Sequence, residues 1–191
     1  MKTYTIIGGV NGTGKTSLSG VLKGESNDLG QIIDVDKIVV ANNCDSLQAD
    51  KIAVQKIEQY LDKGITFTQE TTLSGSKTLN TVKKAKELGY YIRLFYIGLD
   101  TFDESLSRIK NRVVKGGHNI ASEDVKRRFG SRFKTLLKVL PYCNEVRFYD
   151  NDNGFVKIAD YINGEIISTN AAKPLWMKDF EVELRQPEDK K

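Results

Sequence analysis

Eight consecutive residues near the N-terminus have the types and the spacing that bind phosphate groups. The run Gly9-Val10-Asn11-Gly12-Thr13-Gly14-Lys15-Thr16 completes the pattern G-x-x-x-x-G-K-[ST]. A β-branched apolar segment, 3–7, precedes it, and apolar residues at helical spacing follow it. The order strand, glycine loop, helix is typical of a phosphate-binding loop, because the glycines let successive N–H groups face one concavity at a helix N-terminus. The alternative is a glycine-rich turn beside a core strand.

Each part of this loop has an expected role. Lys15 would reach the β- and γ-phosphates of a nucleoside triphosphate, and the Thr16 hydroxyl would hold Mg²⁺. The residues whose backbone would cradle the phosphates are Gly9, Asn11, Gly12, Thr13 and Gly14. The sequence therefore predicts a protein that binds a nucleoside triphosphate.

The elements that must position this loop alternate between strand and helix patterns. Strands are predicted at 31–35, 65–69, 90–99 and 145–149 besides 3–7, and helices at 16–23, 47–63, 76–88, 101–114 and 122–139. This alternation predicts an α/β fold with a doubly wound, mostly parallel five-stranded sheet. Carboxylates follow several of the strands, at Asp34, Asp36, Glu70 and Asp150. Since ligands bind at the carboxyl ends of parallel strands, these residues predict a site beside the loop.

The C-terminal part has a different pattern. Asn163-Gly164 separates two β-like segments, 155–162 and 165–169, which predicts a hairpin. The charged and apolar tail beyond it holds Trp176 as a candidate anchor. We expect a core at 1–154 and a hairpin and tail at 155–191 packed on the same domain.

Composition limits the class of protein. The 191 residues, 39% of them hydrophobic, suit one domain with a proper core. We expect no membrane span and no signal peptide, because no apolar stretch is long enough for a bilayer and the N-terminus lacks a charged-then-apolar layout. Cys44 and Cys143 have neither metal nor redox spacing, and His118 is the single histidine. A cytoplasmic protein without zinc is expected.

The segment 108–138 concentrates positive charge, with ten basic residues and two acidic ones. Arg108 and Arg112 are four residues apart on one predicted helix, as are Arg128 and Arg132 on the next. A glycine-bearing loop, 115–121, would let the two helices close as a lid that excludes water from a transferring phosphoryl group. A nucleic-acid stripe and a pair of solvated helix faces are the alternatives. Aromatic residues are few there, which disfavours nucleic acid.

Three classes of protein share the loop. No Asn-Lys-x-Asp segment supports a switch GTPase, and Leu73-Ser74-Gly75, which matches part of an ABC-type signature, is not followed by a strand ending in Asp-Glu. A small-molecule kinase needs a carboxylate near the acceptor hydroxyl and cations that close over the phosphoryl group. Asp36 is placed for the first role and the lid arginines for the second.

Three motifs resemble those of the zeta-toxin-like kinases, and most closely those of their compact chromosomal relatives, often labelled predicted ABC-type ATPases. They are Glu70-Thr71-Thr72-Leu73-Ser74-Gly75, the run from Arg112 to Ile120, and Arg127-Arg128-Phe129. The resemblance extends from the first strand to about Asn153. It implies a P-loop kinase that uses ATP and Mg²⁺ to phosphorylate the 3′-hydroxyl of a UDP-amino sugar, and an antitoxin-like protein partner.

The resemblance also implies roles for single residues. Asp36 would be the base, with Asp34 as the fallback, and Glu70 and Thr72 would hold the acceptor. Arg112, with Arg127 or Arg128, would clamp the γ-phosphate. Toxins of this family have an arginine two residues after the threonine that matches Thr72, whereas this chain has Ser74, so it lacks a bidentate anchor for an anionic acceptor.

Each role has a simpler alternative. Asp36 could cap the following helix, Glu70 could be an exposed carboxylate at a strand end, and Arg112 could pair with a surface carboxylate. Thr72 and Ser74 could cap the next helix, which is the interpretation we favour for Ser74. For the whole protein, the rival is an ATP-binding regulatory or toxin-like module that contacts RNA or a protein without small-molecule turnover.

Overall fold

The computed structural model describes residues 1–25, 28–117, 119–169 and 171–186. His118, in the middle of the predicted lid loop, lies outside these residues. The described strands are β1 Thr3–Gly8, β2 Gln31–Ile33, β3 Phe67–Thr71, β4 Tyr91–Ile97, β5 Glu145–Asp150, β6 Val156–Ile162 and β7 Glu165–Ser168. The helices are α1 Lys15–Glu25, α2 Val35–Asn42, α3 Ser46–Lys63, α4 Lys77–Glu87, α5 Phe102–Val114, α6 Ser122–Gly130, α7 Lys134–Val139 and α8 Leu175–Arg185.

The strands form one sheet in the order β2-β3-β1-β4-β5-β6-β7. The first five strands are parallel, so the mostly parallel α/β architecture is confirmed. The predicted hairpin is present, but it extends the sheet: β6 pairs antiparallel with β5, and β7 pairs with β6. The sheet of the described chain therefore has seven strands, because the hairpin continues the hydrogen-bond ladder at the edge of β5.

Several element boundaries differ from the sequence prediction. The helix α2 was not predicted, and Asp34, taken as part of a strand, instead caps it with its side chain. Strand β3 starts two residues later than expected, because the Ile65 N–H donates to Tyr60 O at 2.9 Å and so completes the end of α3. Glu70 consequently lies inside β3.

The predicted helix 122–139 is two helices, α6 and α7, separated at 131–133. At this break Arg132 lies over the rings of Phe129 and Phe133 and pairs with Asp179 of α8 at 3.1 Å. The expectation that Arg128 and Arg132 share one helix face is therefore wrong, because α6 ends at Gly130 and Arg132 belongs to the packing of α8.

Helices cover both faces of the sheet. On one face α1 packs through Leu18 against Ile7 and Ile97. On the other face lies the larger core, which Trp176 and Phe180 of α8 complete, and both side chains are fully buried. Trp176 is thus the anchor that the sequence suggested. Within the described ranges, no helix is both long and apolar enough to cross a membrane.

Candidate active site

The glycine loop between β1 and α1 has the backbone conformation that its sequence requires. Gly9, Gly12 and Gly14 have positive φ angles of 149°, 85° and 93°. A Cβ atom at Gly9 would lie 2.3 Å from the carbonyl oxygen of Ile97, so no larger residue fits there. The Thr13 hydroxyl donates to Val10 O at 3.1 Å and closes the loop from within. The loop is therefore a rigid backbone cradle at the N-terminus of α1.

The ammonium group of Lys15 lies inside this cradle. Its Nζ donates to the carbonyl oxygens of Gly9 at 2.9 Å and Val10 at 3.0 Å. Burial lowers the pKa of Lys15 to about 8, although Glu70, Asp36 and Asp34 nearby oppose the shift. The lysine is held where a phosphate in the loop would meet it.

Two carboxylates and two hydroxyls meet directly behind the loop. Thr16 Oγ1 donates to Glu70 Oε2 at 2.7 Å, and Ser19 Oγ donates to Glu70 Oε1 at 2.7 Å. Asp34 Oδ2 lies 3.4 Å from Thr16 Oγ1. Burial raises the pKa of Glu70, and the two hydroxyl donors partly offset this. Glu70 is 8% exposed, so the alternative of an exposed strand-end carboxylate is wrong.

This donor set suits Mg²⁺. The ion prefers oxygen ligands and is usually bound by one or two carboxylates together with substrate phosphates. Thr16, Glu70 and Asp34 offer one hydroxyl and two carboxylates. Among the residues that the structure describes, no group of three or more His, Cys, Asp or Glu could hold a metal alone. The donor set therefore suits a Mg²⁺ ion that a nucleotide brings and completes.

Asp34 and Asp36 have different positions although they are two residues apart. Asp34 is the N-cap of α2: its carboxylate accepts from the N–H groups of Asp36 at 3.0 Å and Lys37 at 3.4 Å. Asp36 lies in the first turn of α2, and its carboxylate accepts from Arg112 Nη1 at 3.1 Å. The alternative that Asp36 caps this helix is therefore wrong. Arg112 pairs with a carboxylate whose side chain is 51% exposed, so the alternative of a surface ion pair is correct, and this carboxylate also lines the cavity.

The structure separates the two neighbouring arginines of α6. Arg128 Nη1 donates to Asn11 Oδ1 of the glycine loop at 3.2 Å. Its Nε is buried and has no hydrogen-bond partner among the described residues. Arg127 instead pairs with Asp124 at 2.6 Å, and its side chain is 71% exposed. Of the two candidate clamps, only Arg128 contacts the loop.

Helix α5 is also attached to the loop. The Ser105 hydroxyl donates to Asn11 O at 2.6 Å, and the Arg108 side chain packs beside Gly12. Arg108 pairs with Glu104 and, at 3.2 Å, with Asp152. Arg108 and Arg112, the two arginines of α5 that the sequence assigns to a lid, therefore lie on a helix that contacts the loop.

One cavity of about 550 Å³ contains these groups. Its lining includes parts of the loop, Glu70 and the three predicted lid arginines Arg108, Arg112 and Arg128. The lining also includes a group that we call the acceptor half, namely Ser46, Asp50, Thr72, Ser74 and Lys77. Thr72 and Ser74 share a hydrogen bond of 2.8 Å between their hydroxyls, and Ser74 makes no capping contact with α4, whose N-cap is Ser76.

Sequence reasoning missed the support that Ser19 gives to Glu70 and the contact of Asn151 with the loop. Ser19 holds Glu70, and its position one turn after Thr16 in α1 was an available signal. Asn151 Nδ2 donates to Thr13 O at 2.9 Å and so supports the loop from the end of β5. Asp150, a predicted site carboxylate, instead accepts from the indole N–H of Trp176 at 3.2 Å.

Several solved structures are similar to this chain in fold. The PezAT chromosomal toxin–antitoxin system of Streptococcus pneumoniae matches with a TM-score of 0.58 and 19% identity, over 82% of this chain and 70% of that one. The AvrRxo1-ORF1:-ORF2 complex with ATP matches with a TM-score of 0.63 and 16% identity, over 98% of this chain and 64% of that one. This chain therefore shares the fold of these two proteins.

Sequence comparison identifies a relative of this chain. A protein of Haemophilus influenzae, described as uncharacterized, is 37% identical over 127 residues, which cover 63% of this chain and 88% of that protein. The chain belongs to the same family as this protein. No protein-family model matches it.

Proposed function

We propose that this protein is an ATP- and Mg²⁺-dependent kinase that transfers the γ-phosphate of ATP to a hydroxyl group of a small molecule. The observation that carries the proposal is the contact of Asp36 on α2 with Arg112 on α5, at 3.1 Å, in the cavity that also holds the glycine loop. A candidate base and a candidate phosphate clamp thus meet beside Lys15. An ATP-binding module without turnover has no need of this pair.

The glycine loop and its neighbours would hold the nucleotide. The N–H groups of the loop and Lys15 Nζ would bind the β- and γ-phosphates. Thr16, Glu70 and Asp34 would hold Mg²⁺, which supplies charge neutralisation on the phosphate oxygens. Glu70 therefore has a different role from the acceptor contact implied by the family resemblance.

Asp36 would act on the acceptor. Its carboxylate takes the proton of the acceptor hydroxyl while the hydroxyl oxygen bonds to the γ-phosphorus, and the bond from that phosphorus to the bridging oxygen breaks to release ADP. Before this step, Arg112 would leave Asp36 for the γ-phosphate. This exchange exposes the carboxylate to the acceptor only when a triphosphate is present.

The lid would complete the site. Arg128 contacts Asn11 and lines the cavity, so its guanidinium would donate to a phosphate oxygen held in the loop. Closure by α5 and α6 would exclude water, which otherwise competes with the acceptor as nucleophile.

The resemblance implies both a protein partner and a candidate acceptor. PezAT is a toxin–antitoxin system, and the AvrRxo1 structure is a complex of two gene products. We propose an antitoxin-like protein partner for this chain as well, to be sought by co-purification with the products of adjacent reading frames. A UDP-amino sugar is the acceptor implied by the zeta toxins, with Thr72 as a contact.

The direct test is phosphate transfer from labelled ATP to a panel of nucleotide sugars, free sugars, nucleosides and aminoglycosides. We expect a phosphorylated product with the wild-type protein and none with Lys15→Ala, because no other loop side chain can replace the ammonium group. Equal turnover by Lys15→Ala would contradict the proposal, as would ATP binding without transfer to any member of the panel.

A further inference from the structure

The charges of the acceptor half limit which molecules it can receive. From these charges we infer that the acceptor is a hydroxyl-rich molecule that carries no phosphate group. This inference rests on the proposed kinase function and narrows its substrate class.

Most basic side chains that line the cavity belong to the elements proposed to bind the nucleotide. Five basic side chains line its described part, and four of them, Lys15, Arg108, Arg112 and Arg128, belong to the glycine loop or the lid. A triphosphate carries about four negative charges and would engage these groups together with Mg²⁺. Only Lys77 is left for an anionic group on the acceptor, as far as the described lining extends.

Lys77 is already paired with a carboxylate. Its Nζ lies 3.4 Å from Asp50 Oδ2, which also lines the cavity, and the two side chains are 70% and 47% exposed. Lys37 in the first turn of α2 is likewise paired, with Asp34 at 3.7 Å. A diphosphate entering here would have to break one of these pairs and would then face an uncompensated carboxylate.

The remaining groups suit hydroxyls. Ser46, Thr72 and Ser74 present hydroxyl groups that both donate and accept, and Asp36 and Asp50 present carboxylates that accept. A sugar or polyol hydroxyl supplies both a donor and an acceptor, so an uncharged molecule can form hydrogen bonds with all of these groups. A phosphate group supplies acceptors alone at neutral pH and would leave the carboxylates without donors.

The first experiment measures binding of UDP as a simple diphosphate probe. The protein is first saturated with Mg²⁺ and a non-hydrolysable ATP analogue, and this loading is measured separately so that failure of nucleotide binding is recognised as failure of the proposed function. We expect no UDP binding by the loaded wild-type protein at millimolar concentration. Asp50→Asn frees Lys77 and should strengthen UDP binding at least tenfold, and the double variant Asp50→Asn/Lys77→Ala should reverse the gain. Micromolar UDP binding by the wild type, or no gain in Asp50→Asn, would overturn the inference.

The second experiment compares turnover on matched acceptors that differ by a phosphate group, namely sugars with their sugar phosphates and UDP-sugars, and nucleosides with their monophosphates. We expect the phosphate-free member of the preferred pair to have a kcat/KM at least tenfold higher. A preference for the phosphate-bearing member would overturn the inference and leave the kinase function standing. Transfer to neither member of any pair, by protein that binds the ATP analogue, would overturn both.

Discussion

At the scale of single residues, Lys15 stands out because its ammonium group is buried and its pKa is lowered. Its ammonium group is buried against the carbonyl oxygens of Gly9 and Val10, and this burial brings its pKa down to about 8. A triphosphate would add anionic partners, which favour the charged form and raise the pKa again. Nucleotide binding and protonation of Lys15 are therefore linked.

This linkage gives a pH prediction. Above pH 8 the lysine is mostly neutral before ATP binds and charged afterwards, so binding must take up a proton and ATP affinity must fall as pH rises. Calorimetry at pH 8.5 in buffers of different ionisation enthalpy should show proton uptake. Lys15→Ala should lose this uptake as well as most of the affinity. Buffer-independent binding enthalpy in the wild type would contradict the assignment.

Asp36 and Asp34 can be separated by matched substitutions. Asp36→Asn keeps the size but loses the proton acceptor, so turnover should fall roughly a hundredfold or more with little change in ATP affinity. Asp34→Asn should instead weaken the Mg²⁺ dependence of ATP binding, because Asp34 lies beside Thr16. If ATP binding collapses in Asp36→Asn, then Asp36 belongs to the metal site and Asp34 becomes the candidate base.

At the scale of elements, the proposed lid depends on where α5 and α6 contact the glycine loop. Ser105 and Arg128 both bond Asn11, one to its backbone carbonyl and the other to its side chain. A phosphate bound in the loop would therefore affect both helices through their contacts with Asn11. This arrangement suits a lid that closes over phosphate better than a surface stripe for nucleic acid.

Arg128 and Arg127 provide a matched test of the lid. Arg128→Ala should lower turnover by roughly tenfold or more and weaken ATP binding less, because its charged donor acts on a phosphoryl group that is being transferred. Arg127→Ala should have little effect, since that side chain is 71% exposed and pairs with Asp124. Loss of activity in Arg127→Ala alone would reverse the assignment of the clamp.

Arg112 distinguishes the lid from the nucleic-acid alternative. Arg112→Ala should lower turnover more than it weakens ATP binding, because its charge is expected to matter most in the transition state. A nucleic-acid contact would behave differently: losing one phosphate contact reduces the salt slope of RNA binding by about one unit. Turnover and titrations of single-stranded RNA at several salt concentrations measure both. Unchanged turnover with weaker, salt-dependent RNA binding would support the alternative.

At the scale of the whole molecule, α8 ties the C-terminal part to the strands that carry the site. The Trp176 N–H donates to Asp100 Oδ1 at 2.8 Å, and its indole N–H donates to Asp150 at 3.2 Å. These two aspartates lie at or just beyond the carboxyl ends of β4 and β5, close to Asn151, which supports the glycine loop. The tail thus stabilises the end of the sheet where the site lies.

Replacing Gly98 by alanine tests this packing, and replacing Gly20 in α1 is its control. We expect the two substitutions to change the free energy of unfolding in opposite directions. A Cβ atom at Gly98 would lie 2.0 Å from the Trp176 ring, so Gly98→Ala should destabilise the protein by about 2–3 kcal/mol. Gly20 lies in α1 with no atom within 4 Å of such a Cβ, so Gly20→Ala should stabilise it by about 0.5–1 kcal/mol. Thermal unfolding of both variants measures the difference. Equal melting temperatures would show that α8 does not pack on β4 as described.

The sequence by itself determined what depends on local chemistry. The glycine loop, the α/β alternation and the Asn163-Gly164 hairpin could all be predicted, because glycine conformation, hydrophobic period and turn preference are set by neighbouring residues. The acidic residues behind the loop were also recognised. The sequence could not assign their separate roles, since those depend on which atoms they meet.

The tertiary structure decided the contacts of these residues and the positions of the weaker elements. Asp34 caps α2, Glu70 joins Thr16 across 54 residues of sequence, and Arg128 rather than Arg127 reaches the loop. The short helix α2 and the amphipathic α8 were missed because their stability comes from capping by Asp34 and from burial of Trp176 and Phe180, not from a long periodic pattern. Long-range contacts of this kind form only when the sheet brings distant segments together, so only the folded chain specifies them.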